Sequence, residues 1–139
     1  MTNPCLTFAN EVRAALAPYS GRVAARGKDV ALAPEAALTL SLVLHELATN
    51  AAKHGALSAP EGRVEVGWRV DWDGGAGPRF CLFWAERGGP PVVPSARDGF
   101  GRALLEEMPR HDLGAEVRLD FRAKGLAYAL AAPLGVVAV

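Results

Sequence analysis

The chain has 139 residues, half of them hydrophobic, and its fifteen basic residues balance fifteen acidic ones. That length suits a single compact domain, residues 1–139, with a real core, and the zero balance leaves no net field to draw in nucleic acid or an anionic membrane. Two cysteines, Cys5 and Cys81, have neither CxxC spacing nor the density of a secreted scaffold, no apolar run nears the ~20 residues of a membrane span, and the N-terminus lacks the basic and apolar regions of a leader, so a cytoplasmic, reduced setting is expected.

Phe8, Val12, Ala15 and Leu16 recur at helical spacing, which predicts a short amphipathic helix from Phe8 to Ala17 that Pro18 ends. Residues 22–26 and 29–32 flank Gly27-Lys28, where glycine permits a tight reversal, so a small hairpin is expected there. Pro34 suits a first helical turn, Glu35 favours the positive helix end, and Gly55 closes the span; this is the long central helix. From Arg63 to Asp73, Val64, Val66, Trp68, Val70 and Trp72 alternate with polar residues or glycine, the pattern of a half-buried strand. Residues 74–78 are a glycine-rich turn, read as a hairpin loop rather than a phosphate loop, and Arg79 to Trp84 is a second, antiparallel strand.

The chain then leaves the strand at Glu86 and runs through prolines to Gly99-Phe100-Gly101, with Leu104, Leu105 and Met108 predicting a helix that opens just after the glycine pair. Ala115 to Arg122 and Leu126 to Ala132 form a last hairpin around Lys124-Gly125. This order predicts an α+β fold, a two-layer sandwich whose mixed, mostly antiparallel sheet carries its helices on one face.

Within the central helix, Glu46, Asn50 and Lys53 fall at i, i+4 and i+7, which aligns a carboxylate, an amide and an ammonium on one stripe. Leu40, Leu44, Leu47, Ala48 and Ala51 take the opposite side. One reading is a solvated face with Asn50 pointing at water. The other is a site, because an acid and an amide can hold a hydrated divalent cation and a lysine one turn on can neutralise phosphate oxygens.

Gly99-x-Gly101 lacks the third glycine of a dinucleotide fingerprint, since Leu104 stands there, but two glycines before a helix let a phosphate approach backbone amides. A zinc reading of His45-Glu46 fails, because HExxH needs histidine where Thr49 stands. Neither cysteine sits beside a base in the manner of a nucleophile.

Taken in order, Glu46, Asn50 and Lys53 on a helix, Glu86-x-Gly88-Gly89-Pro90 after a strand, and Gly99-x-Gly101 before a helix resemble the ATP-binding catalytic domain of HWE-type sensor histidine kinases, part of the wider Bergerat or GHKL group. The name-giving residues of that type would be His45 and Trp84-Ala85-Glu86, and the resemblance runs from about residue 8 to 134. It implies ATP and Mg2+ as cofactors, Asn50 as the magnesium ligand, Glu46 as the catalytic residue orienting the attacking group or the metal's water shell, and Lys53 at phosphate. It also implies Glu86 as acceptor for the adenine amine, Gly88 as the place where backbone nears the base, Gly99 and Gly101 as the phosphate-facing frame of a lid, and a short lid from about Pro91 to Asp98.

His45 lies ~100° around the helix from Glu46 and is expected to be a hydrogen-bonded core histidine, Trp84 is expected to pack beneath the nucleotide, and His54 is expected at the site edge or as a cap. No phosphoacceptor histidine on a dimerising hairpin is expected in this chain, because none of His45, His54 and His111 lies on the first helix. The resemblance therefore implies transfer of the γ-phosphoryl group to a histidine on such a hairpin in cis or in trans, and signalling to a response regulator without nucleic acid or direct membrane contact. The competing implications are a nucleotide-independent docking module for a response regulator and an anti-sigma-type serine kinase.

Overall fold

The computed structural model describes residues 6–72, 75–90, 99–122 and 125–139, with residues 99 and 100 given by backbone alone. Cys5 and the expected lid, 91–98, lie outside these residues. Helix α1 is Phe8–Leu16; the Thr7 hydroxyl accepts from the Asn10 amide at 3.3 Å and so satisfies one of its unpaired first-turn donors. A 3-10 turn, Ala17–Arg22, leads into strand β1, Val23–Arg26. Helix α2, Pro34–Lys53, follows, with proline in its first turn as expected.

Strands β2, Arg63–Asp71, and β3, Arg79–Arg87, pair antiparallel. Helix α3, Gly99–Arg102, passes through a π-type turn, Ala103–Glu107, into α4, Met108–Leu113. The helical run therefore opens at the glycine pair, not after it. Pro109 explains the widened turn, since it has no amide to return to Leu105, and the Tyr128 hydroxyl donates to that Leu105 carbonyl at 2.5 Å instead. Burial pushes the pKa of the Tyr128 hydroxyl above its ordinary value and keeps it a donor. Strands β4, Glu116–Arg122, and β5, Gly125–Pro133, form the expected hairpin, and a short helix α5, Leu134–Val137, closes the chain.

The five strands form one sheet in the order β1-β2-β3-β5-β4, antiparallel except for β1 against β2. This is the mixed, mostly antiparallel α+β sheet that the pattern predicts. The first expected hairpin does not form. Val23 pairs in parallel with Val64, and residues 29–32 spend their backbone bonds on the chain ends: Phe8 N–H donates to the Val30 carbonyl at 2.9 Å, and Val139 N–H to that of Ala31 at 3.1 Å. Gly27 does not serve as the hairpin turn; a Cβ there would lie 2.4 Å from the Trp68 ring, so the chain needs glycine to pass this indole.

The core fills the space between the inner sheet face and the helices. Val64, Val66 and Trp68 of β2, and Phe80, Leu82 and Trp84 of β3, alternate inward and are buried beside Leu40, Leu44 and Leu47 of α2. Phe8 meets Trp68 and Phe80 edge to face, with ring centroids 5.0 Å apart in both pairs.

Candidate functional site

The 3.6-residue period of α2 sorts its residues as expected. Leu40, Leu44, Leu47, Ala48 and Ala51 are buried, whereas Glu46 and Asn50 are half-buried and Lys53 is exposed. The helix run that begins at Gly99 crosses this stripe. A Cβ at Gly101 would stand 3.3 Å from the Glu46 carboxylate and 3.9 Å from the Asn50 amide nitrogen, so glycine lets that backbone come close to both groups. Glu46, Asn50 and Gly101 thus share one place, with Lys53 farther along the same helix and Gly99 as first residue of α3.

Glu86 occupies a different environment. It lies inside β3, two residues beyond Trp84 on the inward-facing row, and is only 3% exposed. An acid buried so deeply requires donors. The Trp84 indole N–H donates to one carboxylate oxygen at 3.0 Å, and the Ala56 amide donates to the other at 3.1 Å. Trp84 therefore does more than pack: the i, i+2 spacing of a strand sets its indole beside the acid. The segment after α2 lies directly over this carboxylate. A Cβ at Gly55 would lie 2.1 Å from Glu86 Oε1, one at Gly89 2.4 Å from Ala56 Cα, and one at Gly62 1.6 Å from the Ala56 carbonyl oxygen. Gly55 has φ −113°, so this approach, not a left-handed cap, is what demands glycine after α2.

Gly88 has φ +76°, a conformation that favours glycine, and its nearest neighbours are the backbone of Glu61 and Gly62. His54 caps α2 with its backbone N–H, as one of the two expectations for it had it. The expected core position of His45 is corrected: the side chain is exposed and its Nδ1–H donates to the Ser41 carbonyl at 2.8 Å, because the residue falls on the solvent side of α2.

Sequence reasoning missed Arg22, Gly55, Ala56 and Gly62 around the acid. The Arg22 guanidinium, from the turn before β1, donates to the carbonyls of Gly62 at 3.0 Å, Ala56 at 3.3 Å, Leu57 at 3.5 Å and also Ala59. Periodicity carries no signal for such a contact.

The donor set at Glu46 and Asn50 suits Mg2+, which keeps most of its water or phosphate ligands and takes one or two oxygens from protein. Among the described residues no helix is long and apolar enough to cross a membrane.

No protein-family model matches this chain. It is 38% identical over 124 residues to a blue-light-activated histidine kinase of Brucella abortus, covering 86% of this chain and 25% of that protein. It is 36% identical over 132 residues to a protein of the same name from Brucella anthropi, covering 92% and 27%. The chain thus spans about a quarter of the length of these relatives. Among solved structures, the histidine kinase domain of the Erythrobacter litoralis EL346 blue-light activated histidine kinase matches with a TM-score of 0.68 at 20% identity, over 91% of this chain and 60% of that one. The catalytic domain of histidine kinase ThkA matches with 0.62 at 12% identity, over 91% and 94%. At those identities the structures speak for the fold alone.

Proposed function

This chain belongs to the histidine kinase family and has the fold of its catalytic domain, and from that premise we propose that it is an HWE-type ATP-binding domain. It passes the ATP γ-phosphoryl group to a histidine on a helical hairpin, in cis in a longer protein or in trans. The observation that carries this reading is the convergence of Glu46, Asn50 and Gly101 from two separate helices.

In this reading Asn50 offers an oxygen to magnesium, and Glu46 orders the metal's water shell or the attacking group. Lys53 contacts phosphate oxygens, and the backbone at Gly99 and Gly101 frames the phosphate side, where glycines and first-turn amides favour anions. Bound magnesium supplies charge neutralisation at the phosphate oxygens. Glu86 accepts a hydrogen bond from the adenine amine at the carboxylate that Trp84 and Ala56 hold in place. Gly88 gives the backbone near the base its turn.

The neutral imidazole of the acceptor is already nucleophilic, so the demand on the protein is positioning and charge. As its nitrogen bonds to the γ-phosphorus, the bond to the bridging oxygen breaks and ADP leaves. The phosphorylated hairpin then serves a response regulator.

Calorimetric titration of ATP and ADP with magnesium tests the site. The parent chain is expected to bind, and Asn50→Ala and Glu86→Ala are each expected to weaken binding sharply. A folded parent that binds neither nucleotide would sink the reading in favour of a docking role. Acid-labile phosphate on an added helical-hairpin domain then distinguishes histidine transfer from acid-stable serine transfer.

A further inference from the structure

We propose that Arg22, outside every motif of the chain, is the positioning residue for purine recognition, acting on the Glu86 carboxylate through Ala56. The inference rests on the reading of Glu86 as the acceptor for the adenine amine.

Arginine presents five N–H donors in a rigid fork, and here that fork spans four backbone carbonyls of one short segment, those of Ala56, Leu57, Ala59 and Gly62. Ala56 stands between the two ends of the chain of contacts: its carbonyl accepts from Arg22 at 3.3 Å, and its N–H donates to Glu86 at 3.1 Å. The segment also closes on itself, with Ala59 N–H donating to the Ala56 carbonyl at 3.3 Å and Gly62 N–H to that of Ala59 at 3.2 Å, so it moves as one unit under the guanidinium. Gly62 and Gly89 are pressed so closely against Ala56 that a Cβ at either would overlap it. Where the guanidinium sets residues 56–62, the Ala56 amide follows, and the carboxylate oxygen follows the amide. The Trp84 indole fixes the other oxygen from below. The plane of the acid is therefore set from two sides, one supplied by its own strand and one by an arginine more than sixty residues upstream.

A purely structural arginine would weaken every ligand equally when removed. A positioning role predicts a selective loss, confined to ligands that carry the exocyclic amine. The test compares binding of ATP with that of purine riboside triphosphate, which lacks this amine, to the parent chain, Arg22→Ala, Arg22→Lys, Trp84→Phe and Glu86→Ala.

In the parent, ATP is expected to bind about tenfold more tightly than the analogue, the worth of one well-placed hydrogen bond. Arg22→Ala should erase most of that ratio while leaving analogue affinity within about twofold of the parent, and Trp84→Phe should erase most of the ratio as well. Arg22→Lys, a point charge without the fork, should fall between and serves as the readout where Arg22→Ala does not fold. Equal weakening of both nucleotides, or no change in either, on Arg22 substitution overturns the inference while Glu86 keeps its role. A parent and Glu86→Ala with the same ratio overturn the adenine reading of Glu86 itself, and a folded parent that binds neither nucleotide does the same; the inference falls with it in both cases.

Discussion

The two carboxylates of the candidate site, Glu46 and Glu86, are held in contrasting ways. Glu46 lies half-buried on one helix and faces a single glycine from α3. Glu86 is buried within a strand and is fixed by contributions from Trp84, the 55–62 segment and, behind that, Arg22. A Cβ at Gly101 would come to 3.3 Å of the flexible end of Glu46, whereas one at Gly55 would come to 2.1 Å of a carboxylate already bonded on both oxygens. Gly125 lies against the backbone of the same residue, with φ +136° and a Cβ position 2.4 Å from the Glu86 carbonyl oxygen. On the proposed reading, the phosphate end rests on one half-buried carboxylate, whereas the adenine end is held by bonds to both carboxylate oxygens.

This contrast can be broken directly. Gly55→Ala should have the largest effect, because displacing Glu86 strands two buried N–H groups; we expect about 3 kcal/mol of lost stability, read by chemical denaturation, and loss of measurable ATP binding. Asn50→Ala should leave stability within about 0.5 kcal/mol of the parent while lowering ATP affinity at least about tenfold with magnesium and little without it, read by calorimetry in the presence and absence of a chelator. Gly101→Ala sharpens the comparison by its sign. Within a helix the change favours folding by up to about 1 kcal/mol, while the added methyl crowds Glu46 and lowers Mg-ATP affinity a few-fold. An equal loss of stability at Gly55 and Gly101 would remove the distinction between a fixed and a yielding end.

The smallest effect concerns a contact two turns back along α2 from Glu46, where the Thr39 hydroxyl donates to Asp112 at 3.1 Å. The hydrogen bond from His111 beside it holds the Asp112 carboxyl below its ordinary pKa, with Thr39 adding in the same direction. A depressed carboxyl stabilises the fold above its unfolded pKa and loses that contribution as pH falls through the folded value. Asp112→Asn should therefore lower the melting temperature slightly at neutral pH, with the gap closing below the ordinary carboxylate range. A gap that widens in acid would contradict this assignment.

The α2 stripe of the yielding end was legible because it lies on one element: a 3.6-residue period is enough to align Glu46, Asn50 and Lys53 and to bury Leu44 and Leu47 behind them. Period-two alternation likewise located β2, β3 and the last hairpin. The same alternation, extended two residues past Trp84, would have placed Glu86 inside β3 beside the indole; ending the strand at Trp84 concealed that contact. The first hairpin failed for another reason. Gly27 is a turn residue by type, but its constraint is the Trp68 ring, which is distant in sequence, and β1 found a parallel partner no local rule could identify. Arg22 was illegible on the same ground, since its four acceptors are backbone carbonyls and carry no sequence signature.

The parallel pairing of β1 with β2 also bears on the order of folding. Hairpins β2–β3 and β4–β5 join strands that are neighbours along the chain, whereas Val23 reaches Val64 only after the whole of α2 has been looped between them. Closing that longer loop costs entropy before any contact repays it, so this ladder is expected to form after the hairpins. Arg22 immediately precedes β1, which assigns its clamp on residues 56–62 to the same late step. A chain halted just short of it would hold most of its sheet and its magnesium-side residues yet leave Glu86 unaimed, so discrimination among purines would be the last property that folding confers.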